Sequence, residues 1–360
     1  MNNLKVLFLS TWFENPYKSL LSSNLENQKV QIKMSRVSSF FLLQIMREGK
    51  PDILHFHALP VPVIWRKPVA QFLKLCFLRI QIIILHFLGT KVVWTAHEWH
   101  GKIGLRSVCH TPTLFANFFD KSIDAIITHC ETTKQDITAT WQLKQKNKIF
   151  VVPHGNYIDW YENKIEPLEA RKALGIPEKN LVFLLFGNIY GYKGVLETID
   201  AFKNLPQEKV SLLIAGSLKE EELEKPIKDK IQGYENILFV PQSIPDNEVQ
   251  IYMNACDCVV VPYKVFTTSG VANLAMSFGR VCIAPNVGFF SNILDKSGSF
   301  LYNSNHKKGL LKAMESSLEN KINLPQMGGH NLELAKQWNW KYVAQETLKV
   351  YQSCMLINNT

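Results

Sequence analysis

Short apolar runs alternate along the chain with longer segments in which apolar residues recur every three or four positions. The runs are rich in Val, Ile, Leu and Phe, which is typical of strands buried on both faces of a parallel sheet. The longer segments predict helices that cover those faces. In the first half, strands are predicted at Leu4–Ser10, Val30–Met34, Ile53–His57, Val92–Ala96, Ile126–His129 and Ile149–Val152, with helices near 16–27, 38–48, 64–88, 111–122 and 131–143.

The second half repeats this alternation after a connecting segment with a short helix near 168–174, and its last predicted helix lies near 337–353. Strands that alternate with helices indicate an α/β protein with two doubly wound, Rossmann-like domains. Strands are predicted here at Leu181–Phe186, Val210–Ala215, Ile237–Val240, Cys258–Val261, Val281–Ala284 and Ser299–Tyr302, with helices near 193–204, 219–232, 246–255, 269–278 and 306–320.

The domain boundaries follow from this layout. We expect a first domain in residues 1–155, a second in 156–336 and a C-terminal helix in 337–360. Doubly wound sheets bind ligands beyond the carboxyl ends of their strands. Two such domains therefore imply a cleft where those ends face each other.

Composition narrows the function classes. The 360 residues are 46% hydrophobic and 20% charged, which excludes a disordered, collagen-like or coiled-coil protein. The net charge of +9 is uneven: residues 1–155 hold 19 basic and 9 acidic side chains, whereas residues 156–360 hold 21 and 22. The excess of positive charge predicts that the first domain has an anionic partner. No nucleic-acid-binding motif accompanies this charge, so we do not expect the partner to be nucleic acid.

Cysteines and the N-terminus indicate the compartment. The seven cysteines are odd in number and lie mostly in apolar runs, which is typical of free thiols in a reducing environment. Lys5 is followed only by a short apolar strand and not by a signal-peptide pattern. We therefore expect a cytoplasmic protein.

One long segment of the first domain lacks acidic residues. No Asp or Glu occurs in the 45 residues between Asp52 and Glu98, and the helix near 64–88 carries Lys74 and Arg79, which interrupt any membrane-spanning run. Two interpretations stay open. The helix packs its apolar half on its own sheet, or it lies against anionic lipid at the inner face of the plasma membrane. That apolar half contains Phe72, Leu73, Ile80, Ile83, Ile84 and Phe87.

Two loops of the second domain are suited to phosphate. The segment Gly187–Gly194 connects a buried strand to a helix and ends with Lys193, so backbone N–H groups and a cation meet at a helix start. The segment Thr267–Gly279 begins with small hydroxylic residues, and Ser269 is a natural helix cap. Each segment alone is also compatible with an ordinary strand-to-helix turn, but both follow strands of one sheet.

These motifs resemble the GT-B glycosyltransferases, and in particular the family-4 enzymes, also called glycosyl transferases group 1. Gly187–Gly194 is similar to that family's diphosphate loop, with Lys193 at its lysine, and Val151–Gly155 to its interdomain turn. Leu213–Gly216 and Trp338–Tyr351 resemble two further segments, the second of which returns to the first domain in the family. Asn15-Pro16-Tyr17 resembles the opening of bacterial polysaccharide glycosyltransferases.

The resemblance implies roles for individual residues. His97 would contact the transferred sugar, and it or Glu98 would act as base if the reaction inverts configuration; a retaining reaction needs no base. The implied donor-diphosphate residues are Gly187, Asn188, Lys193, Thr268, Ser269 and Gly270; those for nucleobase or ribose are Gln242, Ile244 and Asn273; those for the acceptor are Trp12, Asn15 and Tyr17.

Three positions depart from the family pattern. Asn188 replaces the usual diphosphate arginine, and Phe266 and Leu274 replace the two glutamates of the E-x7-E motif. The second of those glutamates normally holds the donor ribose in the family. The departures leave the donor, the stereochemical outcome and activity itself open.

The resemblance implies a glycosyltransferase that moves a hexose from GDP-mannose or a UDP-hexose to a glycan or a polyprenyl-diphosphate-linked acceptor. No acidic metal motif such as Asp-x-Asp occurs, and the nucleotide sugar is a substrate, so we expect neither a cofactor nor a metal. Two alternatives stay open: a catalytically inactive sugar-binding subunit and a nucleotide-sugar epimerase of the same fold.

Overall fold

The computed structural model describes residues 3–11, 16–58, 68–97, 118, 120–141 and 143–356. The chain forms two compact units. Unit 1 consists of Met1–Gly155 together with Trp338–Thr360, and unit 2 consists of Asn156–Gln337. Each contains a six-stranded parallel sheet, so the predicted α/β class with two doubly wound sheets is confirmed.

Unit 1 is built on a sheet with the strand order β2-β1-β3-β4-β5-β6, all parallel. The helices of this unit pack on both faces of the sheet. The strands are β1 (Lys5–Ser10), β2 (Gln31–Arg36), β3 (Ile53–Phe56), β4 (Lys91–Thr95), β5 (Ala125–Thr128) and β6 (Ile149–Val151), and the helices are α1 (Pro16–Glu26), α2 (Phe41–Glu48), α3 (Pro68–Phe87), α4 (Glu131–Trp141) and the C-terminal α13 (Trp340–Leu356).

Unit 2 has the order β12-β11-β10-β7-β8-β9, again all parallel. The strands are β7 (Leu181–Phe186), β8 (Val210–Ala215), β9 (Ile237–Val240), β10 (Cys258–Val260), β11 (Val281–Pro285) and β12 (Ser299–Tyr302), and the helices are α5 (Pro167–Ala173), α6 (Val195–Phe202), α7 (Glu224–Ile231), α8 (Val249–Ala255), α9 (Gly270–Ser277), α10 (Gly288–Ile293), α11 (Gly309–Glu319) and α12 (Leu324–Gln337).

Strand order locates the ligand-binding edge of each sheet. The order in which strands are added to the sheet reverses between β1 and β3 in unit 1, and between β7 and β10 in unit 2. Connections leave in opposite directions at such a switch point, which opens a crevice at the carboxyl ends of the two strands. In unit 2 this crevice lies where Gly187 follows β7 and Pro262 follows β10.

The C-terminal helix belongs to the core of unit 1. Trp340, Val343, Val350 and Tyr351 of α13 are buried in one cluster with residues of β1 such as Phe8. Removing this apolar surface from water holds α13 against the sheet. Unit 1 is therefore discontinuous in sequence.

Two helices were not predicted. Helix α10 is short, and α12 contains Pro325, Gly328 and Gly329, which hide its apolar periodicity. Gly328 has a structural reason, because a Cβ there would lie 2.0 Å from the carbonyl oxygen of Gly279. Most of the helix predicted near 111–122 lies outside the described residues.

Helix α3 packs on its sheet through a different face from the predicted one. Its buried side chains in the core of unit 1 are Leu75, Leu78, Ile82 and Leu85, whereas the predicted apolar half is exposed. The prediction that this half packs on the sheet is therefore wrong. Among the described residues, no helix is both long and apolar enough to cross a membrane.

The cysteines agree with the expected free thiols. Cys130, Cys256, Cys258, Cys282 and Cys354 are free and buried, and Cys76 is free and half-buried. Burial raises the pKa of the Cys256 thiol to about 12, so it stays protonated and unreactive at neutral pH. Cys109 lies outside the described residues.

Candidate functional site

The loop after β7 is fixed at the switch point of unit 2. It runs from Gly187 through a single 3₁₀ turn at Gly191–Lys193 into α6. Gly194 has a φ of +75°, and a Cβ there would lie 2.7 Å from the carbonyl oxygen of Pro262. Only glycine accepts both constraints. The loop is thereby held against the end of β10.

Lys193 is a buried cation that has no charge partner among the residues that the structure describes. Its residue is 9% exposed, and its Nζ lies 5.3 Å from the ring centroid of Tyr263. Within the described part of the chain, Nζ has no hydrogen bond and no ion pair. Burial lowers the pKa of Lys193 to about 8. A buried ammonium that nothing neutralises is costly, so this position is suited to an anionic ligand.

The start of α9 lies beside the same loop. A Cβ placed on Gly187 would lie 3.3 Å from Cγ2 of Val271 and 3.8 Å from Nζ of Lys193. Ser269 caps α9, because its Oγ accepts a hydrogen bond from the Ala272 N–H at 3.2 Å. The hydroxyl Oγ1 of neighbouring Thr268 is buried and has no partner within the described residues. The structure thus brings together a cation, a free hydroxyl and a helix N-terminus.

The other predicted donor residues lie in different surroundings. Asn188 is exposed, and Gln242 and Ile244 follow β9 at the edge of the sheet, where Gln242 is exposed and Ile244 half-buried. Asn273 is buried, and its Nδ2 donates to the Ser269 carbonyl at 3.0 Å. Asn273 therefore already has a partner inside its own helix.

Glu220 was missed by sequence reasoning. Its Oε2 accepts a hydrogen bond from the Gly191 N–H at 2.8 Å and so fixes the loop that carries Lys193. The only signal was its place shortly after β8, the strand next to β7.

Histidines mark the strand ends of unit 1. His57 follows β3, His97 follows β4 and His129 follows β5, while His154 comes shortly after β6. Their rings surround Tyr17 of α1, with centroid distances of 5.9, 4.7, 5.4 and 5.0 Å respectively. Parallel strands end at the same edge, so one sheet edge gathers four imidazoles around one phenol.

Three of these histidines form a hydrogen-bonded chain. His129 Nδ1 lies 2.9 Å from the Val152 carbonyl oxygen, His97 Nδ1 lies 3.3 Å from His129 Nε2, and His57 Nδ1 lies 3.2 Å from His97 Nε2. A carbonyl only accepts, so in neutral rings each Nδ1 donates and each Nε2 accepts. His57 Nε2 is then left as a buried acceptor without a partner in the described residues.

Burial keeps these three hydrogen-bonded histidines neutral. Burial lowers the pKa of His129 to about 4 and lowers the pKa values of His57 and His97 well below 6.5, and the neighbouring histidines lower the latter two further. Neutral imidazoles offer a lone pair at physiological pH. No group of three or more His, Cys, Asp or Glu side chains within the described ranges could hold a metal ion.

Comparison with known proteins finds a family match within unit 2. Residues 167–334, slightly less than half of the chain, match the family model of the glycosyl transferases group 1. The matched segment includes the Lys193 loop and the start of α9, so the family resemblance noted in the sequence is confirmed.

A relative with a known activity is consistent with this family match. A GDP-mannose:glycolipid 4-beta-D-mannosyltransferase of Xanthomonas campestris pv. campestris is 27% identical over 164 residues, which are 45% of this chain and 44% of the relative. The match thus spans less than half of that protein.

Solved structures show the fold over nearly the whole chain. Sucrose-phosphate synthase from Thermosynechococcus elongatus has a TM-score of 0.77 at 14% identity, covering 99% of this chain and 100% of its own. Anabaena HepE, solved with UDP and glucose, has a TM-score of 0.73 at 16% identity, covering 98% and 100%. The chain has the GT-B glycosyltransferase fold.

The matched segment departs from the family pattern at the glutamate pair. Phe266 packs against Phe290 with ring centroids 4.4 Å apart, and Leu274 is buried. Both positions are apolar contacts of the protein itself.

The predicted acceptor-side residues are only partly described. Trp12, Asn15 and Glu98 lie outside the described residues. Tyr17 is buried among the histidines, and both ring nitrogens of His97 are engaged by His57 and His129.

Sequence reasoning missed these hydrogen bonds because the three histidines follow strands that are separated in sequence. His55 lies beside them: residues two positions apart in a strand share a face, and the ring centroids of His55 and His57 are 4.2 Å apart.

Proposed function

We propose that this chain is a glycosyltransferase that moves a hexose from a nucleotide diphosphate sugar to a glycan or lipid-linked acceptor. The observation that carries the proposal is Lys193, which is buried at the switch point of unit 2, within the segment that matches the group 1 model, and which has no ionic partner among the described residues. The relative in Xanthomonas uses GDP-mannose and the solved Anabaena protein holds UDP, which supports GDP-mannose or a UDP-hexose as donor.

The donor chemistry requires a group that neutralises a departing diphosphate. The bond between the anomeric carbon and the diphosphate oxygen breaks, and the nucleoside diphosphate leaves with its negative charge. In the proposal, the Lys193 ammonium and the free N–H groups in the first turn of α9 stabilise that charge, and Thr268 Oγ1 donates a hydrogen bond. These groups act without a metal.

The acceptor chemistry concerns a hydroxyl proton. If configuration inverts, a base must accept this proton, and we propose Glu98 for that role, because both ring nitrogens of His97 are engaged by His57 and His129. If configuration is retained, no base is needed, and the hydrogen bonds with His57 and His129 orient His97.

The class of acceptor determines where in the cell the protein would act. The Xanthomonas relative is a glycolipid mannosyltransferase, and the first half of this chain is basic. Both observations support a lipid-linked acceptor. We propose that the protein works in polysaccharide or glycoconjugate biosynthesis, at the cytoplasmic face of a membrane.

One observation favours a second candidate function. The positions of both family glutamates are filled by apolar side chains that pack within unit 2, so the usual ribose contact is absent from the described residues. A catalytically inactive sugar-binding subunit would tolerate that loss.

Turnover separates the two candidates. The intact protein is incubated with GDP-mannose, UDP-glucose and UDP-galactose, and the released nucleoside diphosphate is measured with and without lipid-linked acceptors. We expect release from one donor class, its loss in Lys193→Ala, and no change in Lys312→Ala, an exposed lysine of α11. Glycan binding without any nucleotide release would establish the inactive subunit instead.

A further inference from the structure

Helix α3 carries two apolar faces. Leu75, Leu78, Ile82 and Leu85 recur every three or four residues and are at most 6% exposed, so this face anchors the helix in unit 1. The opposite face is also apolar but points to solvent. Its most exposed members include Leu73 at 61%, Ile80 at 55%, Ile83 at 54% and Phe87 at 91%.

Helix α2 extends this exposed surface. Phe40 and Phe77 lie ring to ring, with centroids 5.3 Å apart. Gln81 of α3 joins the helices, since its side chain accepts from the Leu42 N–H at 3.1 Å and donates to the Ser39 carbonyl at 2.8 Å. We call the combined surface the α2–α3 face. It consists of Phe40, Leu43, Met46, Phe72, Leu73, Phe77, Ile80, Ile83, Ile84, Phe87 and Leu88, each at least 38% exposed.

Basic side chains border the α2–α3 face. At 100° per residue, Lys74 and Arg79 lie on the two opposite margins of the exposed face of α3, and Arg47 is exposed on α2. No ion pair involves any of the three within the described residues. Nearby acids are engaged elsewhere: Asp124 binds His86 at 2.8 Å, and Glu48 accepts from Ser35 at 3.1 Å.

We propose that the α2–α3 face docks on an anionic lipid bilayer. A helix that buries an apolar face rich in Phe, Leu and Ile between flanking Lys and Arg lies in the plane of the lipid interface. The 45 residues between Asp52 and Glu98 contain no acidic side chain that anionic lipid would repel. The buried stripe of α3 stays on its own sheet, so docking needs no unfolding.

A second copy of this chain fits the face less well. A two-fold contact would set Lys74, Arg79 and Arg47 of one copy near the same residues of the other, and the described part of the face has no acid to pair with them. Like charges at an interface oppose association. Lipid phosphates supply the missing countercharge.

Vesicle sedimentation tests the proposal on the intact protein. The wild type is mixed with vesicles of phosphatidylcholine and phosphatidylglycerol, and with phosphatidylcholine alone. We expect binding only to the anionic vesicles. Lys74→Glu combined with Arg79→Glu should weaken it about tenfold or more, because each basic residue near the surface contributes about fivefold.

An apolar variant probes the centre of the face. Ile83→Gln combined with Phe87→Gln should also weaken binding about tenfold or more, since it removes two apolar side chains from the lipid. Both residues are exposed, so folding is unaffected. Ile322→Gln in unit 2, at an 89% exposed site, is the matched control and should bind as the wild type does.

The outcomes decide the proposal independently of the donor site. Nucleoside diphosphate affinity, which depends on Lys193, should stay unchanged in all these variants. Absence of wild-type binding to anionic vesicles, or unchanged binding in both double variants, would overturn the proposal. So would a wild-type dimer that the double variants convert to monomers, because the face would then be an interface between copies.

Discussion

At the scale of single residues, the most informative group is a buried lysine whose charge no described acidic side chain neutralises. Lys193 is 9% exposed, and its ammonium has no ionic partner among the described residues. Natural proteins keep such unfavourable groups mainly at functional sites. The Thr268 hydroxyl, just before the start of α9, is likewise buried and has no hydrogen-bond partner within the described part of the chain.

Replacing this lysine should stabilise the fold. Lys193→Met removes a buried charge while keeping the length of the side chain, and we expect unfolding at pH 7 to become less favourable by about 2–3 kcal/mol. The pKa of Lys193 is lowered to about 8 from 10.5, so the unfolded chain binds the proton more tightly. The gain should therefore shrink as pH rises from 8 to 10.5. Chemical denaturation at both pH values measures it; a destabilised variant would contradict it.

The same lysine sets a pH dependence of ligand binding. A neutral amine does not attract a diphosphate, so the affinity for UDP or GDP should fall as pH rises through about 8. Lys193→Arg keeps its charge far above that pH and should remove the inflection. Calorimetric titrations from pH 6 to pH 10 compare the two proteins. An equal inflection in both would show that another group is responsible.

At the scale of elements, ligand-facing groups collect at the carboxyl ends of parallel strands. The Lys193 loop follows β7, and three histidines follow β3, β4 and β5. The strands could be predicted because a parallel sheet buried on both faces has near-continuous apolar runs. The loops around Lys193 and Ser269 could be predicted from glycine and cap chemistry.

Other features depend on contacts that sequence spacing does not reveal. The chain from His57 through His97 to His129 joins three strands that are separated in sequence, so no local pattern signals it. Helix α12 was missed because the packing of Gly328 against Gly279 overrides helix propensity. The sequence left open whether the apolar half of α3 packs on the sheet or lies against lipid, because the buried and the exposed faces of this helix are both apolar.

The histidine chain makes a spectroscopic prediction. The Val152 carbonyl fixes His129 as an Nδ1–H donor, and this choice propagates through His97 to His57. Nitrogen-15 spectra of the intact protein at pH 7 should show three neutral imidazoles with the proton on Nδ1. In His129→Phe the other two should lose this preference. A protonated Nε2 on His97 in the wild type would contradict the chain.

At the scale of the whole molecule, the chain forms two units, and its C-terminal helix α13 belongs to unit 1. Tyr351 of α13 is fully buried there, and its hydroxyl lies 2.7 Å from His55 Nδ1. His55 Nε2 is in turn 2.7 Å from Thr95 Oγ1. Both ring nitrogens of a buried histidine are therefore satisfied only when α13 is docked.

Loss of this contact should affect one unit only. Tyr351→Phe leaves His55 Nδ1 unpaired, and we expect a loss of about 1–3 kcal/mol in the stability of unit 1. Hydrogen exchange should increase in β1, β3 and β4, while the sheet of unit 2 exchanges as before. Increased exchange across both sheets would show that the two units unfold together.

The central claim is that unit 2 binds the diphosphate of a nucleotide sugar through Lys193. The most direct measurement is calorimetric titration of UDP and GDP into the wild type, Lys193→Met and Lys312→Met at pH 7. We expect one nucleotide to bind the wild type and Lys312→Met equally. Lys193→Met, although folded, should lose about 100-fold in affinity because a charge-assisted contact of about 3 kcal/mol is gone. Equal affinity in all three proteins, or no nucleotide binding by the wild type, would contradict it.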